Sequence, residues 1–533
     1  MLVRAAICYQ SVNTTSAPII AHRYCLLNTA CTAIIGCAVK ETCSTASNQQ
    51  CSKCATGYNL VDGTADKCVM PAGGPTQLSV ARLTLKNTGD GSDQAISLPK
   101  HTVKFVKTSG TSSMKLTYAD NLRVYGNGKV CTWTIKIDGK DCAIPIYNSK
   151  HSAAVSDNDH TPNAIVGTCA GIAAGVHSMT IALTRNAGAD CYTGWSASSA
   201  RDAFFMEAEE LNPAGQITTV MRKVKADGRD SGVVTGRSLK LDKRSDTSQL
   251  RLTWATNLRV RAHNNRGGAI CNWELQIDGK SCVKPSKIGV SMHSQNDDND
   301  HIPAEVVGWC QGIARGPHTI TVLVVRGNSN SDCYTGWSSN DYMEVWEPTP
   351  AEQSMIAYMQ RVGTDNASDS ASSVLTTSFT KKSSASSVRI LYYDNLRVIG
   401  SSKWCRWEVK VDDKSCAAPL AGSLYTLSGD NDHYPATIVG ECPDVAAGKH
   451  SINVAVTRAS GADCHTGWTP TPRVMHALIE IQETSAAISN LCSSNKQPGP
   501  FFACIVLRVD FFIFLKKFHQ LFTTSINFLR EVK

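Results

Sequence analysis

Apolar side chains recur at every second position in many short stretches of the chain. Residues 133–137, 179–183 and 452–456 each carry three large apolar side chains at alternate positions. A period of two places one face of a strand against a core, whereas a helix needs a period near 3.6. The pattern therefore predicts an all-β protein.

The same set of motifs occurs three times along the chain, in the same order. The set comprises Asn-Leu-Arg-Val (121–124, 257–260, 395–398), Cys-x-Trp (Cys131/Trp133, Cys271/Trp273, Cys405/Trp407), a second cysteine (Cys142, Cys282, Cys416), an acidic segment ending in His-x-Pro, a third cysteine (Cys169, Cys310, Cys442) and a fourth before Thr-Gly-Trp (Cys191, Cys333, Cys464). Repetition of a whole motif set indicates tandem domains. We place them at 72–212, 213–349 and 350–486 and call them copies 1, 2 and 3.

Turn residues favour a sandwich or jelly roll for each copy. Asp138-Gly139 follows the alternating stretch 133–137, and Asp-Gly is typical of type I′ hairpin turns. Copy 3 has Asp412-Asp413 there, and Asp accepts positive φ less readily than Gly, so we expect a looser turn. Short strands with turn signals about every 8–12 residues are typical of these two architectures.

The chain contains 22 cysteines, and their regular spacing indicates disulfides rather than metal clusters. Disulfides persist in oxidising compartments, so we expect a secreted or cell-surface protein. Met1–Cys8 is not a persuasive signal peptide, so we also expect an incomplete N-terminus. Strand geometry places Cys131 about 13 Å from Cys142 and disfavours that bridge. Both orders of pairing with Cys169 and Cys191 stay open.

The three copies resemble the C-terminal globular domain of the collagen triple helix repeat-containing protein family. Copy 2 carries the matching residues LRV (258–260), Cys271-x-Trp273, DGKSC (278–282), His301, VGWCQGIARG (307–316) and TGW (335–337); copy 3 departs at Pro443-Asp444. The resemblance implies a secreted glycoprotein with a β-sandwich head like those of trimeric complement and tumour-necrosis-factor-like proteins. It also implies roles in matrix remodelling and in modulation of Wnt–Frizzled signalling.

The chain has no Gly-X-Y run, so no collagen stalk brings three heads together. Three heads in one chain, joined by short connections such as 210–215, predict instead a pseudo-trimer within one polypeptide, since short tethers give a high effective concentration.

The acidic segments are candidate calcium sites, because carboxylate and amide oxygens at alternate positions suit Ca²⁺. The candidate ligands are Asp157, Asn158, Asp159, Asp297, Asp298, Asp300, Asp430, Asn431 and Asp432. The alternative is an Asx-turn loop that uses these side chains for backbone hydrogen bonds. Calcium is the one cofactor that the sequence raises.

Histidines and tryptophans also repeat. His160, His301 and His433 end the acidic segments, and His177, His318 and His450 open a later strand; we interpret all six as structural. Trp195, Trp337 and Trp468 are candidate ligand-binding residues through stacking on sugars, with packing as core beside the adjacent disulfide as the alternative.

The two ends differ from the copies. Residues 1–71 form a cysteine-rich module in which Cys51–Cys68 resembles a growth-factor-receptor or furin-type repeat. Residues 487–533 form a phenylalanine-rich tail that we interpret as a gene-model error, with interfacial membrane association as the alternative. Asn13 and Asn366 lie in glycosylation sequons.

Charge and motifs restrict the function. The net charge of +8 is spread along the chain without a dense basic run in 72–490, which argues against nucleic acid as a partner. No hydrolase, metalloprotease or nucleotide-binding motif is present, so we expect no enzyme. The sequence favours a multivalent extracellular binding or matrix protein with a protein or glycan ligand. A calcium-dependent lectin-like adhesin is the alternative.

Overall fold

The computed structural model describes residues 37–43, 49–54, 59–61, 67–69, 77–87, 92–93, 97–153, 160–197, 202–212, 217–223, 230–262, 268–295, 301–362, 373–427, 432–467 and 476–485. All of them belong to one compact unit, Met1–Ser489. None of the described helical structure has the length and hydropathy needed to cross a membrane.

Two short hairpins come first, in the cysteine-rich module. β1 (Cys37–Cys43) pairs with β2 (Gln49–Cys54), and β3 (Asn59–Val61) pairs with β4 (Lys67–Val69). The sequon residues Asn13 and Asn366 and the phenylalanine-rich tail lie outside the described residues.

Within the described residues, every regular element of copies 1 and 2 is a β-strand, as the alternation predicts. Copy 1 contains β5 (Gln77–Lys86), β6 (Ser92–Asp93), β7 (Ser97–Lys107), β8 (Ser113–Tyr125), β9 (Lys129–Ile137), β10 (Ile146–Ser152), β11 (His160–Cys169), β12 (Gly175–Arg185), β13 (Asp190–Thr193) and β14 (Ala203–Leu211). Copy 2 contains β15 (Ile217–Lys223), β16 (Gly232–Lys243), β17 (Leu250–Ala262), β18 (Ala269–Ile277), β19 (Lys280–Ser281), β20 (Ile288–Ser294), β21 (His301–Cys310), β22 (Gly316–Arg326), β23 (Ser331–Thr335) and β24 (Asn340–Trp346).

Copy 3 begins with a one-turn helix, α1 (Pro350–Gln353), which Thr349 and Glu352 stabilise as a capping box. Its strands are β25 (Ile356–Val362), β26 (Ser373–Lys381), β27 (Ser386–Ile399), β28 (Lys403–Val411), β29 (Lys414–Thr426), β30 (Tyr434–Cys442), β31 (Gly448–Arg458), β32 (Asp463–Thr466) and β33 (His476–Ser485).

Two antiparallel sheets form a sandwich in every copy. The first sheet has the strand order β5-β14-β8-β11 in copy 1, β15-β24-β17-β21 in copy 2 and β25-β33-β27-β30 in copy 3. The second sheet has the order β7-β12-β9-β10, β16-β22-β18-β20 and β26-β31-β28-β29. The predicted all-β sandwich class is confirmed.

The strand that carries Asn-Leu-Arg-Val is buried on both of its faces. In β8, Leu122 and Val124 join the sandwich core together with Trp133 of β9. The alternate residues Asn121 and Arg123 point the other way and are also buried. Such a strand loses the apolar and polar alternation of a half-exposed sheet, because its second face meets protein instead of water.

The strand β9 ends in the tight hairpin turn that the sequence predicts. Asp138 and Gly139 have φ of 50° and 75°, as a type I′ turn requires. Asp412 and Asp413 have φ of 49° and 61°, so copy 3 keeps the same turn and the looser turn that we expected is not found.

Six disulfides join the first cysteine of each copy to the fourth and the second to the third. The pairs are Cys131–Cys191, Cys142–Cys169, Cys271–Cys333, Cys282–Cys310, Cys405–Cys464 and Cys416–Cys442. In copy 1 the chain leaves the β9 ladder after Lys140 and rejoins it at Ile146, which lies opposite Ile135. Cys142 therefore lies outside that ladder and reaches Cys169 at the end of β11.

The three copies pair with one another in cyclic order. The second-sheet edge strand of each copy meets the first-sheet edge strand of the next, at His151 opposite His301, His293 opposite His433, and Tyr425 opposite His160. The last pairing returns from copy 3 to copy 1. We call this arrangement the ring, and its contacts boundaries 1–2, 2–3 and 3–1.

Candidate functional site at the boundaries between copies

The asparagine of each Asn-Leu-Arg-Val motif crosses a boundary. Asn257 Nδ2 donates a hydrogen bond of 2.6 Å to the backbone oxygen of Ser149 in copy 1. The equivalent pairs are Asn121 with Ser423 and Asn395 with Ser291. The motif asparagine therefore satisfies a backbone oxygen of the neighbouring copy, which explains why an amide residue recurs at this buried position of the motif strand.

An aromatic cluster lies at each boundary. At boundary 1–2 the ring of His301 packs against Trp337 with ring centres 4.0 Å apart and the planes tilted by 36°, and its centre is 5.6 Å from that of His151 in copy 1. At boundary 3–1 the ring centre of His160 is 4.2 Å from that of Trp195, with a tilt of 33°, and 5.9 Å from that of Tyr425. We call these groups the boundary clusters.

The motif arginine completes the cluster in copies 1 and 2. The guanidinium of Arg259 lies 3.3 Å from the centre of the Tyr334 ring, and that of Arg123 lies 3.4 Å from the Tyr192 ring. Arg259 NH1 is also 3.2 Å from His301 Nε2. A cation over an aromatic face is favourable by about 0.5–2 kcal/mol. Copy 3 has His465 in place of the tyrosine, in contact with Arg397.

The boundary histidines are held neutral. Burial, with contributions from Arg259 and His151, lowers the pKa of His301 to about 2. Burial followed by the motif arginine also lowers the pKa of His160 and of His433 well below the usual value. Neutral imidazoles fit the interpretation of these histidines as structural residues.

Two of the tryptophans of Thr-Gly-Trp, Trp195 and Trp337, are not fully buried core residues. Trp195 and Trp337 are half-buried and pack on histidines, as described above. The tryptophan of Cys-x-Trp is a core residue in every copy: Trp273, for example, is fully buried and donates from Nε1 to Thr335 Oγ1 at 2.8 Å. Trp195 and Trp337 thus stay candidate ligand-binding residues. Trp468 lies outside the described residues.

A chain of buried ion pairs runs round the ring, and the sequence analysis missed it. Lys115 Nζ lies 2.7 Å from Glu344, Arg251 Nε lies 2.7 Å from Glu480, and Arg389 NH2 lies 3.1 Å from Glu207. In each pair the cation of one copy meets the carboxylate of another, and the three pairs occupy equivalent positions. The available signal was a Lys or Arg six residues before each motif asparagine.

Pairing decides the charge state of these carboxylates. Burial would raise the pKa of Glu207, but Arg389 and Arg82 outweigh it and lower the pKa to about 2. Lys115 and Arg251 likewise lower the pKa of Glu344, and Arg251 lowers that of Glu480. Glu305 faces the same charges without a close cation, and burial raises its pKa. The three paired carboxylates are therefore ionised at neutral pH.

A second repeated contact that the sequence analysis missed fixes the loop before the motif strand. Glu210 accepts hydrogen bonds from the backbone of Thr108 and Ser109, both at 2.8 Å, and from Ser112 Oγ at 2.6 Å. Burial opposes ionisation of Glu210, but these bonds outweigh it and lower the pKa to about 2. Glu347 and Glu483 make the same contacts in copies 2 and 3.

The histidines that open β12, β22 and β31 bind the hairpin aspartate. His318 Nδ1 lies 2.6 Å from Asp278, and its Nε2 lies 2.8 Å from the Ala314 oxygen. Asp278 also accepts from the Thr319 backbone at 2.8 Å. His177 with Asp138 and His450 with Asp412 repeat this contact. The histidine thus joins the hairpin aspartate on one ring nitrogen to a backbone oxygen of the preceding loop on the other, so it is placed to hold a turn.

We expect His318 to titrate above the ordinary histidine pKa of about 6.5. Burial acts against this, but the Asp278 carboxylate and the Ala314 oxygen outweigh it and raise the pKa. A pKa raised on folding gives stability that is present at low pH and is lost as the pH rises through the folded pKa. Asp278→Asn keeps a residue that tolerates the φ of 52° and should lower the His318 pKa, measured by NMR titration. An unchanged pKa would contradict the pairing, and Asp242→Asn is the control.

The candidate calcium ligands fall mostly outside the described residues. Asp157, Asn158, Asp159, Asp297, Asp298, Asp300, Asp430 and Asn431 lie there. Asp432 is described, and its carboxylate accepts from the Gln295 backbone of copy 2 at 2.8 Å and from Tyr434 at 3.2 Å. Among the described residues no group of three or more potential ligands is placed to hold a metal ion. Asp432 thus acts in part as a contact across boundary 2–3.

Comparison with solved structures adds little. "Structure of PNGF-II in C2 space group" matches with 7% identity and a TM-score of 0.23, covering 73% of this chain and 100% of that one. The "N-terminal CBM22-1-CBM22-2 tandem domain from Paenibacillus barcinonensis Xyn10C" matches with 10% identity and a TM-score of 0.14, covering 51% and 92%. Both scores are too low to carry an argument about fold or function. No curated protein matches the chain in sequence.

The family comparison is specific. The profile described as "CTHRC1, C-terminal domain" matches three times, at residues 80–201, 217–344 and 359–475. The matches contain the boundary clusters and the cysteines of all six described disulfides. This family and the disulfide-rich β-fold are consistent with an extracellular binding or matrix protein. The chain belongs to the CTHRC1 C-terminal domain family and carries three tandem copies of that domain.

Proposed function

We propose that this protein is a non-enzymatic, extracellular binding protein that presents three related sites from one polypeptide. The observation that carries the proposal is the cyclic pairing of the copies, in which boundary 3–1 joins segments far apart in sequence. Buried ion pairs reinforce each boundary. A single chain thus has the valency for which a stalked trimer needs three chains.

The sites lie at the boundary clusters. At boundaries 1–2 and 3–1 the cluster contains a half-buried tryptophan next to a neutral histidine, and the neighbouring copy contributes a further aromatic ring. Partly exposed tryptophan combines apolar area with a polar N–H, which makes it a frequent anchor in binding sites. The acidic segments adjoin these clusters in the sequence, so the ligand would meet aromatic and acidic groups together.

The ligand is an extracellular protein or a glycan. By family resemblance we propose Wnt–Frizzled components among the protein ligands, with no role for nucleic acid. Three sites held together raise the apparent affinity for a surface with many ligands far above that of one site. Weak single contacts are therefore sufficient for retention in a matrix.

Binding to immobilised basement-membrane extract, and separately to a Frizzled cysteine-rich domain, tests the proposal. Changing one of Trp195, Trp337 or Trp468 to alanine should weaken apparent affinity about 3–10-fold, and changing all three about 100-fold or more. Val106→Ser with Val176→Ser alters two exposed apolar residues and serves as the control, with thermal unfolding measured for every variant. If the triple variant folds and binds both probes like the parent protein, the boundary clusters are not the sites.

The half-exposure of Trp195 and Trp337 also favours the second candidate, a calcium-dependent lectin-like adhesin. A glycan array probed with and without a calcium chelator distinguishes the two. Glycan binding that the chelator abolishes would support the adhesin, and no glycan binding at any calcium concentration would remove it.

A further inference from the structure

Two positions next to each ion pair, one beside the glutamate and one beside the cation, carry different residues at the three boundaries. The cross-strand partners of the paired glutamates are Arg82, Thr219 and Tyr358 in copies 1, 2 and 3. The cross-strand partners of the paired cations are Thr168, Trp309 and Glu441. Because each ion pair joins two copies, one residue of the first group faces one of the second across every boundary. We call these six residues the matching site.

At boundary 3–1 the matching site is ionic. Arg82 is buried, and its Nε lies 2.5 Å from Glu207 of the same copy, while NH1 lies 3.9 Å from Glu441 of copy 3. Neither NH1 nor NH2 makes a hydrogen bond within the described part of the chain. The backbone nitrogen of Glu441 also donates to Thr84 Oγ1 at 3.0 Å. Arg82 therefore needs acidic neighbours, because a buried cation without them is costly.

At boundary 2–3 the matching site is aromatic. The rings of Trp309 and Tyr358 stack 5.0 Å apart at an interplanar angle of 8°. Trp309 Nε1 also donates to Glu480 at 2.7 Å, and its backbone nitrogen donates to Gln360 at 2.6 Å. Two large flat rings therefore pack face to face at this boundary, and the indole N–H of Trp309 has Glu480 as its acceptor.

At boundary 1–2 the matching site is small and polar. Thr168 and Thr219 are both half-buried. Neither threonine can neutralise a charge, and neither offers an aromatic face. The three boundaries thus combine one shared feature, the ion pair, with three different pairs beside it.

We propose that the matching site determines which copy packs beside which, so that the ring forms in a single order. A copy packed against its own kind would place Arg82 against Thr168, Thr219 against Trp309, or Tyr358 against Glu441. The first of these leaves Arg82 with Glu207 but without Glu441, and the last leaves the buried Glu441 carboxylate without Arg82. Both are unfavourable, because a buried charge that loses an oppositely charged neighbour is not compensated by water. Reversing the order of the copies produces similar mismatches. The ion pairs, which all three boundaries share, promote packing between any two copies. The matching site makes the correct neighbour more favourable than the wrong one.

The test compares two variants of the full chain. Arg82→Tyr with Tyr358→Arg exchanges two residues, so that tyrosine faces Glu441 and arginine faces Trp309. Adding Trp309→Glu and Glu441→Trp restores a matched pair at each boundary, with the pairs exchanged. The first variant should lower Tm by about 5 °C or more and enlarge the radius of gyration in scattering, and the second should recover at least about half of the loss.

Equal melting temperatures for the two-residue and four-residue variants, or failure of both to fold, would overturn the proposal. Either result would show that restoring a matched pair of residues at the boundary does not restore the stability of the ring. Substitutions at boundary 1–2 should disturb folding less, because Thr168 and Thr219 are only half-buried. Thr168→Glu alone should lower Tm, and Thr168→Glu with Thr219→Arg should recover it by about 2 °C. No difference between these two variants would count equally against the proposal.

Discussion

Replacement of Arg251 by methionine is expected to lower the free energy of unfolding by about 3–5 kcal/mol, measured by urea unfolding at pH 7.4. Arg251 lies between Glu480 at 2.7 Å and Glu344 at 3.3 Å. Its removal leaves the buried Glu480 with the Trp309 N–H and with one more distant cation, Arg389 at 3.7 Å. Methionine has a similar volume, so the loss reports charge and not a cavity.

Two further variants separate the ion pair from general damage. Arg251→Met with Glu480→Met removes both partners and should recover much of the loss, since a buried pair is often replaceable by apolar residues. Lys136→Met removes an exposed pair with Asp141 at 3.0 Å and should change stability by less than about 1 kcal/mol. Equal effects of Arg251→Met and Lys136→Met would mean that the buried pairs do not stabilise the ring.

The effect of Arg251→Met should also depend on pH. The pKa of Glu480 and of Glu344 is lower in the folded protein than the usual value of about 4.3. A lowered folded pKa gives stability that is present above the unfolded pKa and is lost as the pH falls. The difference between parent and variant should therefore shrink below about pH 4.

Removal of the Cys131–Cys191 disulfide by paired alanine substitutions is the second large expected effect, about 4 kcal/mol. The bridge closes a separation of 60 residues, and a cross-link stabilises mainly by restricting the unfolded chain. Cys142–Cys169 spans 27 residues, so its removal should be less destabilising, by about 3.5 kcal/mol. Differential scanning calorimetry of the two double variants compares them directly. A larger effect for the shorter loop would contradict the chain-entropy explanation, and unchanged stability would mean that the bridges are not formed.

The alternation of side chains predicted the strands because it depends on local geometry. Residues 179–183 lie in β12 with Met179, Ile181 and Leu183 buried, as the pattern requires. The Asp138-Gly139 turn was also predictable, since positive φ at both positions selects those residues. Disulfide pairing was narrowed but not decided, because it depends on how the chain leaves the β9 ladder after Lys140.

The boundaries could not be predicted from one strand at a time. In β8, Lys115 and Thr117 resemble the polar side of a half-exposed strand, yet both are buried against other parts of the protein. The alternation of apolar and polar residues is the same whether the polar face of a strand meets water or packs against a neighbouring copy. The sequence pattern of one strand therefore cannot tell the two cases apart. The contact of Trp337 could not be predicted for a similar reason, since the histidine on which it packs lies 36 residues away, at His301.

Equivalent positions of the boundary clusters carry different residues, because the three copies lie in one gene and can mutate separately. Tyr425 occupies the place of His151 and His293, and His465 that of Tyr192 and Tyr334. In a homotrimer one codon change alters all three positions at once. Here each of these codons alters a single boundary, so the sequence of one boundary can change while the other two boundaries preserve the assembly.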